Sequence, residues 1–154
     1  MRILDIATFA IGFLALGGCS GNRSSAPVSR LPVLPVTLPN GTVIHAEVAS
    51  TPAEQGRGLQ FRDELPPDRG MIFHFTDMRE RPFWMYNTRI PLDVIWIDGR
   101  GQIVEMSTDT PPCEAERPPE CPIYGGKIPS KFVLELAAGQ AVANGLRLGD
   151  RISF

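Results

Sequence analysis

One stretch of the chain concentrates side chains able to do chemistry: Phe83-Trp84-Met85-Tyr86-Asn87-Thr88-Arg89-Ile90-Pro91-Leu92-Asp93. Aromatic rings, a thioether, an amide, a hydroxyl, a guanidinium and a carboxylate all fall on one strand-to-strand connection. Asn87 and Pro91 suit a turn, because asparagine tolerates positive φ and proline presets its own. A turn needs no tryptophan, hydroxyl and carboxylate beside it. The pocket reading makes Trp84 or Tyr86 a platform for a ring-shaped ligand, with Met85, Asn87, Thr88 and Asp93 as contacts and Arg62 and Tyr124 completing the candidate set. The other reading has Asp93 tie down the turn while the aromatics fill the core. By strand alternation Asp93 shares a face with Ile95 and Ile97. If that face is core, the carboxylate needs partners, since an unpaired buried charge is very costly. Arg62, Arg89 and the backbone N–H groups of residues 87–91 are the candidates.

The remaining reactive residues are sparse. Cys113 and Cys121 lie in a proline-rich loop, and in an exported chain their default is a disulfide. Closing that loop stabilises the fold by about 2–3 kcal/mol on the chain-entropy model. A metal site or a reactive dithiol is the alternative, but neither CxxC spacing nor a neighbouring histidine supports it. His45 and His74 fall on solvent faces of strands and can share a metal only if those strands pair. Met71, Met85 and Met106 with Trp84 could build a soft Cu(I) site, although methionine on a strand is ordinarily core. No metal and no cofactor is expected. There is no glycine-rich phosphate loop, and no serine has a nucleophile-elbow context. With the two loop cysteines paired, no thiol remains in the domain to activate, so no catalytic residue is assigned.

The formal net charge is -2 and there is no basic run, so the electrostatic footprint of a nucleic-acid binder is missing. A hydrophobic fraction of 43% fits a globular domain, while Gly 15 and Pro 15 in 154 residues favour short strands and many turns over helices. At the start, Met1 and Arg2 precede an apolar run from Ile6 to Leu16. That run is shorter than the roughly 20 residues needed to span a bilayer, and fits a secretory signal. Its end, Leu16-Gly17-Gly18-Cys19, resembles the lipobox of bacterial lipoproteins. The resemblance implies cleavage before Cys19 and lipid on its thiol, which would anchor the protein to an envelope membrane. Ser20 resembles the pattern sent to an outer membrane, facing the periplasm, where one exists. Residues 1–18 are thus expected to be a signal peptide, 19–32 a lipidated cysteine with a flexible linker, and 33–154 a single domain.

The elements that must position the chemistry are mostly strands. Val33–Leu38 and Thr42–Val48 flank Pro39-Asn40-Gly41, where Asn-Gly is the preferred centre of a two-residue hairpin turn. Thr51-Pro52-Ala53-Glu54 fits a capping box opening a short helix that Gly56 and Gly58 interrupt. Strands are then expected at Met71–Phe75, Pro82–Tyr86, Leu92–Asp98, Gln102–Ser107, Lys131–Leu136 and Asp150–Phe154. Asp98-Gly99-Arg100-Gly101 marks a second hairpin. The expected fold is mostly β, a small closed antiparallel barrel of about seven or eight short strands with one short capped helix.

Several motifs together resemble a family. They are Arg57-Gly58-Leu59-Gln60-Phe61-Arg62, Gly70-Met71-Ile72-Phe73, Phe83 to Thr88 with Ile90-Pro91-Leu92-Asp93, Cys121-Pro122-Ile123-Tyr124, Val133-Leu134-Glu135-Leu136 and Gly149-Asp150. This pattern resembles the uncharacterised family called domain of unknown function 192. Members often carry lysine or arginine where Tyr86 stands and methionine where Gln60 stands. The resemblance implies a compact β-barrel and frequent export, and no established activity.

Three function classes follow. A binding module for a small molecule, saccharide or envelope polymer comes first, because aromatic platforms beside amides and carboxylates suit sugar rings. A protein-interaction or assembly domain would present a large exposed apolar patch and no deep pocket. A hydrolytic enzyme would hold a strongly perturbed carboxylate or lysine in a cleft.

Overall fold

In the computed structural model, which describes residues 31–154 apart from Glu114 and Glu116, two hairpins built on the same turn frame a six-stranded sheet. The expected signal segment, Cys19 and the linker as far as residue 30 lie outside the described residues. The strands are β1 (Val33–Thr37), β2 (Val43–Ala49), β3 (Arg69–Arg79), β4 (Phe83–Trp84), β5 (Leu92–Ile97), β6 (Ile103–Thr110), β7 (Ile123–Tyr124) and β8 (Ser130–Ala137). Two short helices, α1 (Pro52–Arg57) and α2 (Gln140–Ala143), complete the set with a single 3-10 turn at Pro118–Glu120. The large sheet runs β1-β2-β3-β8-β5-β6, and β4 with β7 forms a separate two-stranded ribbon. Every pairing is antiparallel except β2 with β3, where the connection through α1 returns the chain to the same end of the sheet.

The first hairpin turn is one residue longer than the two-residue turn that Asn40-Gly41 suggests. The Leu38 N–H donates to the Thr42 carbonyl at 2.8 Å, the Gly41 N–H donates to the Leu38 carbonyl at 2.9 Å, and only Gly41 takes a positive φ, of 86°. Asn40 instead accepts from the Thr42 N–H through its side chain at 3.0 Å. Asp98 to Gln102 repeats this pattern, with Gly101 at φ 83°. A turn followed by one left-handed glycine is the usual three-residue hairpin, and it twists the strands the right way. At the second turn the Asp98 carboxylate accepts from Arg100 N–H at 2.8 Å and Gln102 N–H at 2.9 Å. Burial pushes that carboxyl up, but these two donors and the Arg100 guanidinium outweigh it and leave it below its usual range.

The sheet is covered on both faces. Val36, Ile44, Ala46, Ile72, Ile95, Ile97, Leu134 and Leu136 fill one cluster. Ala49, Met71, Phe73, Met85, Val94, Trp96 and Val133 fill another. The parity of β5 and β8 divides them cleanly, even residues of β8 facing the first cluster and Val133 the second. All six residues of β5 are therefore buried, as in a strand sandwiched between layers. The expected last strand is present only as isolated bridges, Ser153 to Thr37 and Arg151 to Gln102, so the C-terminal residues touch both edges of the sheet.

Asp93 is fully buried, on the first face, and its partners differ from those expected. One carboxylate oxygen accepts from the Asp109 N–H at 2.9 Å and the other from the Ala141 N–H at 2.7 Å, inside the first turn of α2. Arg62 and Arg89 are engaged by Glu47 and Asp63 instead. Helix α2, which composition did not announce, thus owes its capping to a residue 48 positions upstream. Asp93→Ala leaves the buried Ala141 N–H and the part-buried Asp109 N–H without their acceptor, and should cost about 1–3 kcal/mol by denaturant unfolding at neutral pH. A change under about 0.5 kcal/mol, the scale of an ordinary surface substitution, would contradict this role.

Candidate functional site

On the second face, strand register sets Glu47 of β2, Met71 of β3, Glu135 of β8 and Val94 of β5 side by side in one row across the sheet. Glu135 is 5% exposed, and its Oε2 is sealed from solvent with no hydrogen-bond partner. Burial raises its carboxyl from 4.5 to about 8, and the positive charge of Arg62 pulls back only part of that. Arg62 is itself held by Glu47 through two bonds of 2.6 Å. At neutral pH the Glu135 carboxyl is accordingly held mainly as the neutral acid, the cheaper state for a group away from water.

A layer of chain lies over this residue. Thr51 and Glu54 close the capping box of α1, the Glu54 carboxylate accepting from the Thr51 N–H at 2.8 Å and Thr51 Oγ1 accepting from the Glu54 N–H at 3.3 Å. The backbone donors of Thr51 and Ser50 hold the Glu54 carboxyl below its usual range. Gly58 ends the helix against the Phe73 ring at φ 48°, a backbone conformation that glycine adopts without strain. On the other side β3 runs past an irregularity between His74 and Arg79 and reaches Arg81, whose guanidinium lies 3.9 Å over the Phe75 ring. Asp77 binds Arg81, and although desolvation pushes the Asp77 carboxyl up, Arg81 and Arg79 bring it below normal.

The Arg81 carbonyl accepts from the indole N–H of buried Trp96 at 2.7 Å, and Phe83 meets Phe73 and Trp96 edge-on at 5.0 and 5.9 Å. The Cys113–Cys121 disulfide closes the proline-rich loop, and the Cys113 N–H donates to the Met85 carbonyl at 3.2 Å, pinning the loop to the segment after β4.

Between the two sides is a cavity of about 380 Å³. Gln55 to Gln60, Phe73, Phe75, Arg79 to Trp84, Tyr86, Thr88 and Glu135 line it. Of the residues expected at a site, half-exposed Trp84, Tyr86 and buried Thr88 are in the lining. Met85 is core beneath it. Asn87 takes the turn conformation at φ 55°, and its carbonyl accepts from the Phe61 N–H at 2.8 Å. Tyr124 pairs with Phe83 in the ribbon. Arg62 and Asp93 are likewise outside the lining. Glu135 and the arginines were missed, yet Glu135 had a signal: a lone carboxylate within the apolar run Val133 to Leu136.

The metal alternatives find no geometry. His45 stands opposite Arg69 on the paired strand and His74 opposite Phe132, so the register keeps the histidines apart. Met71 and Met85 belong to one cluster while Met106 packs on the other. Among the described residues no three His, Cys, Asp or Glu side chains gather as ligands.

Two solved structures are similar to the chain. A protein of unknown function from Novosphingobium aromaticivorans is 33% identical, with a TM-score of 0.73 over 90% of this chain and 99% of that one. A protein from Sinorhizobium meliloti, named as a candidate transcription regulator, is 32% identical, with a TM-score of 0.67 over 77% of this chain and 89% of that one. A search of curated proteins found no match. Residues 36–154 match the family model DUF192, described as Uncharacterized ACR, and the chain belongs to that family.

Proposed function

We propose that the domain is a small-molecule binding module of the cell envelope, taking a saccharide or a fragment of an envelope polymer into the cavity above Glu135. The observation that carries this is the Glu135 carboxyl, mainly neutral and with its Oε2 buried and unpartnered, in the lining of a cavity with aromatic walls. Ligand pockets commonly have volumes of roughly 300–1,000 Å³ and join apolar walls to a few placed polar groups. Trp84 offers a ring face at the cavity, and Thr88 a hydroxyl. The envelope part of the proposal rests on Leu16-Gly17-Gly18-Cys19, with lipid on Cys19 as the anchor. Closure of the sheet into a barrel belongs to it too, supported by the bridges from residues 151 and 153 to both edges. A second reading, acid–base catalysis by Glu135, is favoured by the same raised carboxyl in a cleft, since a general acid works best with a pKa near the ambient pH.

Trp96 is fully buried, so Trp84 is the tryptophan that can report on the cavity. A screen of glycans and envelope fragments should find a ligand that quenches tryptophan fluorescence. Trp84→Phe should lose that signal, and Thr88→Val should stay folded and bind more weakly. Turnover of the hit, read by mass spectrometry, would select the catalytic reading. A broad screen without a hit, or a hit indifferent to both Thr88→Val and Glu135→Leu, would overturn the cavity as the site.

A further inference from the structure

We infer that the ligand of this cavity carries an acidic oxygen group, a carboxylate or a phosphate, recognised by Arg57, Arg79 and Arg81. The inference rests on the binding reading above and adds the class of ligand to it. The chain as a whole is acidic, with a net charge of -2, yet its cavity lining holds three arginines against two carboxyls, Glu80 and Glu135. Glu135 is mainly uncharged at neutral pH and Asp77, paired with Arg79 and Arg81, offsets one of the three positive charges, so the wall keeps a small net positive charge on a negative protein. Such a contrast draws anions to the site before any contact forms.

The arginines are also differently prepared. Arg57 closes the last turn of α1 and is exposed. Arg79 is exposed and only partly neutralised by Asp77 at 3.3 Å. Arg81 is nine-tenths buried, stacked on Phe75, and keeps a buried Nε–H with no acceptor. Guanidinium groups match carboxylate and phosphate oxygens in a planar fork, which favours oxyanions over other anions. The protonated carboxyl of Glu135 adds an O–H donor from below, and an oxyanion is a better acceptor for it than a neutral group.

The probes are phenylacetate, phenyl phosphate and neutral phenylacetamide, each a ring small enough for the cavity, titrated at low salt with Trp84 fluorescence and amide NMR shifts as readouts. At least one anion should bind about tenfold or more tightly than phenylacetamide, as charge-assisted bonds to guanidinium allow. The tighter of the two identifies the acid. The double variant Arg57→Gln/Arg79→Gln, at two exposed positions that leave the fold alone, should bring the anion-to-amide ratio near one. Equal or better binding of phenylacetamide would overturn the anionic ligand and leave the binding cavity standing. Failure of both anions to bind would likewise overturn the anionic ligand, while the glycan and envelope-fragment screen decides the cavity itself.

Discussion

Replacing Glu135 with glutamine should stabilise the domain by an amount that grows with pH. In the folded state the carboxyl releases its proton near 8, against 4.5 for the ordinary group. Between those values the folded chain keeps a proton that the unfolded chain has lost. Stability therefore falls as pH rises through that window and levels off above it. The full span corresponds to roughly 3–5 kcal/mol at about 1.4 kcal/mol per pKa unit. Glutamine keeps the shape and removes the titration. The buried amide has a cost of its own, which does not vary with pH. Denaturant unfolding across a pH series should show the gap between variant and parent constant in acid, widening from about pH 4.5 to about pH 8, and then flat. Parallel curves would mean that Glu135 ionises as an ordinary surface carboxyl.

Gly126→Ala should be the most damaging single methyl in the domain. Gly126 sits at φ 68°, and a Cβ there would fall 2.0 Å from the Arg81 carbonyl oxygen and 2.4 Å from the Pro82 nitrogen. Those are backbone atoms, so no rotamer change relieves them. Gly126 also accepts from the Arg81 N–H at 3.0 Å, and Arg81 in turn accepts from Trp96. The methyl must push residues 81 and 82 off the Trp96 indole, opening the cavity wall that those residues form. A loss of about 4 kcal/mol or more is expected, in the range reserved for overpacking and backbone strain. Gly41→Ala is the control: φ is 86°, but nothing lies within 4 Å of its Cβ. It bears only the conformational cost, about 1–2 kcal/mol. Thermal unfolding by near-UV dichroism should separate the two variants widely. Similar midpoints would contradict the close approach at Gly126.

Much of this fold was legible along the chain. Asn40-Gly41 and Asp98 to Gly101 announced their hairpins because turn glycines act locally. Thr51 and Glu54 announced α1 because a capping box needs only four residues, and the cysteine pair in a short loop announced its disulfide. What stayed hidden was set by distant pairing. That β8 lies between β3 and β5 follows from long-range register, which no local pattern states. Alternation placed Asp93 on the face of Ile95 and Ile97, but its donors, Asp109 and Ala141, come from segments far along the chain. The candidate site suffered most from this. Trp84, Tyr86 and Thr88, legible beside a turn, line the cavity, whereas Glu135, Arg57 and Arg81 reach it from three separate elements or their extensions. Asn87 and Met85 entered the expectation beside Trp84, and Tyr124 lies in a separate motif; the fold places Asn87 at the turn, Met85 in the core and Tyr124 in the two-stranded ribbon.

Carbon-detected NMR of the side-chain carboxyls, recorded while the best hit of the ligand screen is titrated in, bears most directly on the cavity as a binding site. The Glu135 carboxyl should shift along the same saturation curve as the Trp84 fluorescence. The carboxyl of Asp93, on the opposite face of the sheet and bonded to Asp109 and Ala141, should keep its position. A Glu135 signal unmoved at saturating ligand would contradict a site at this cavity.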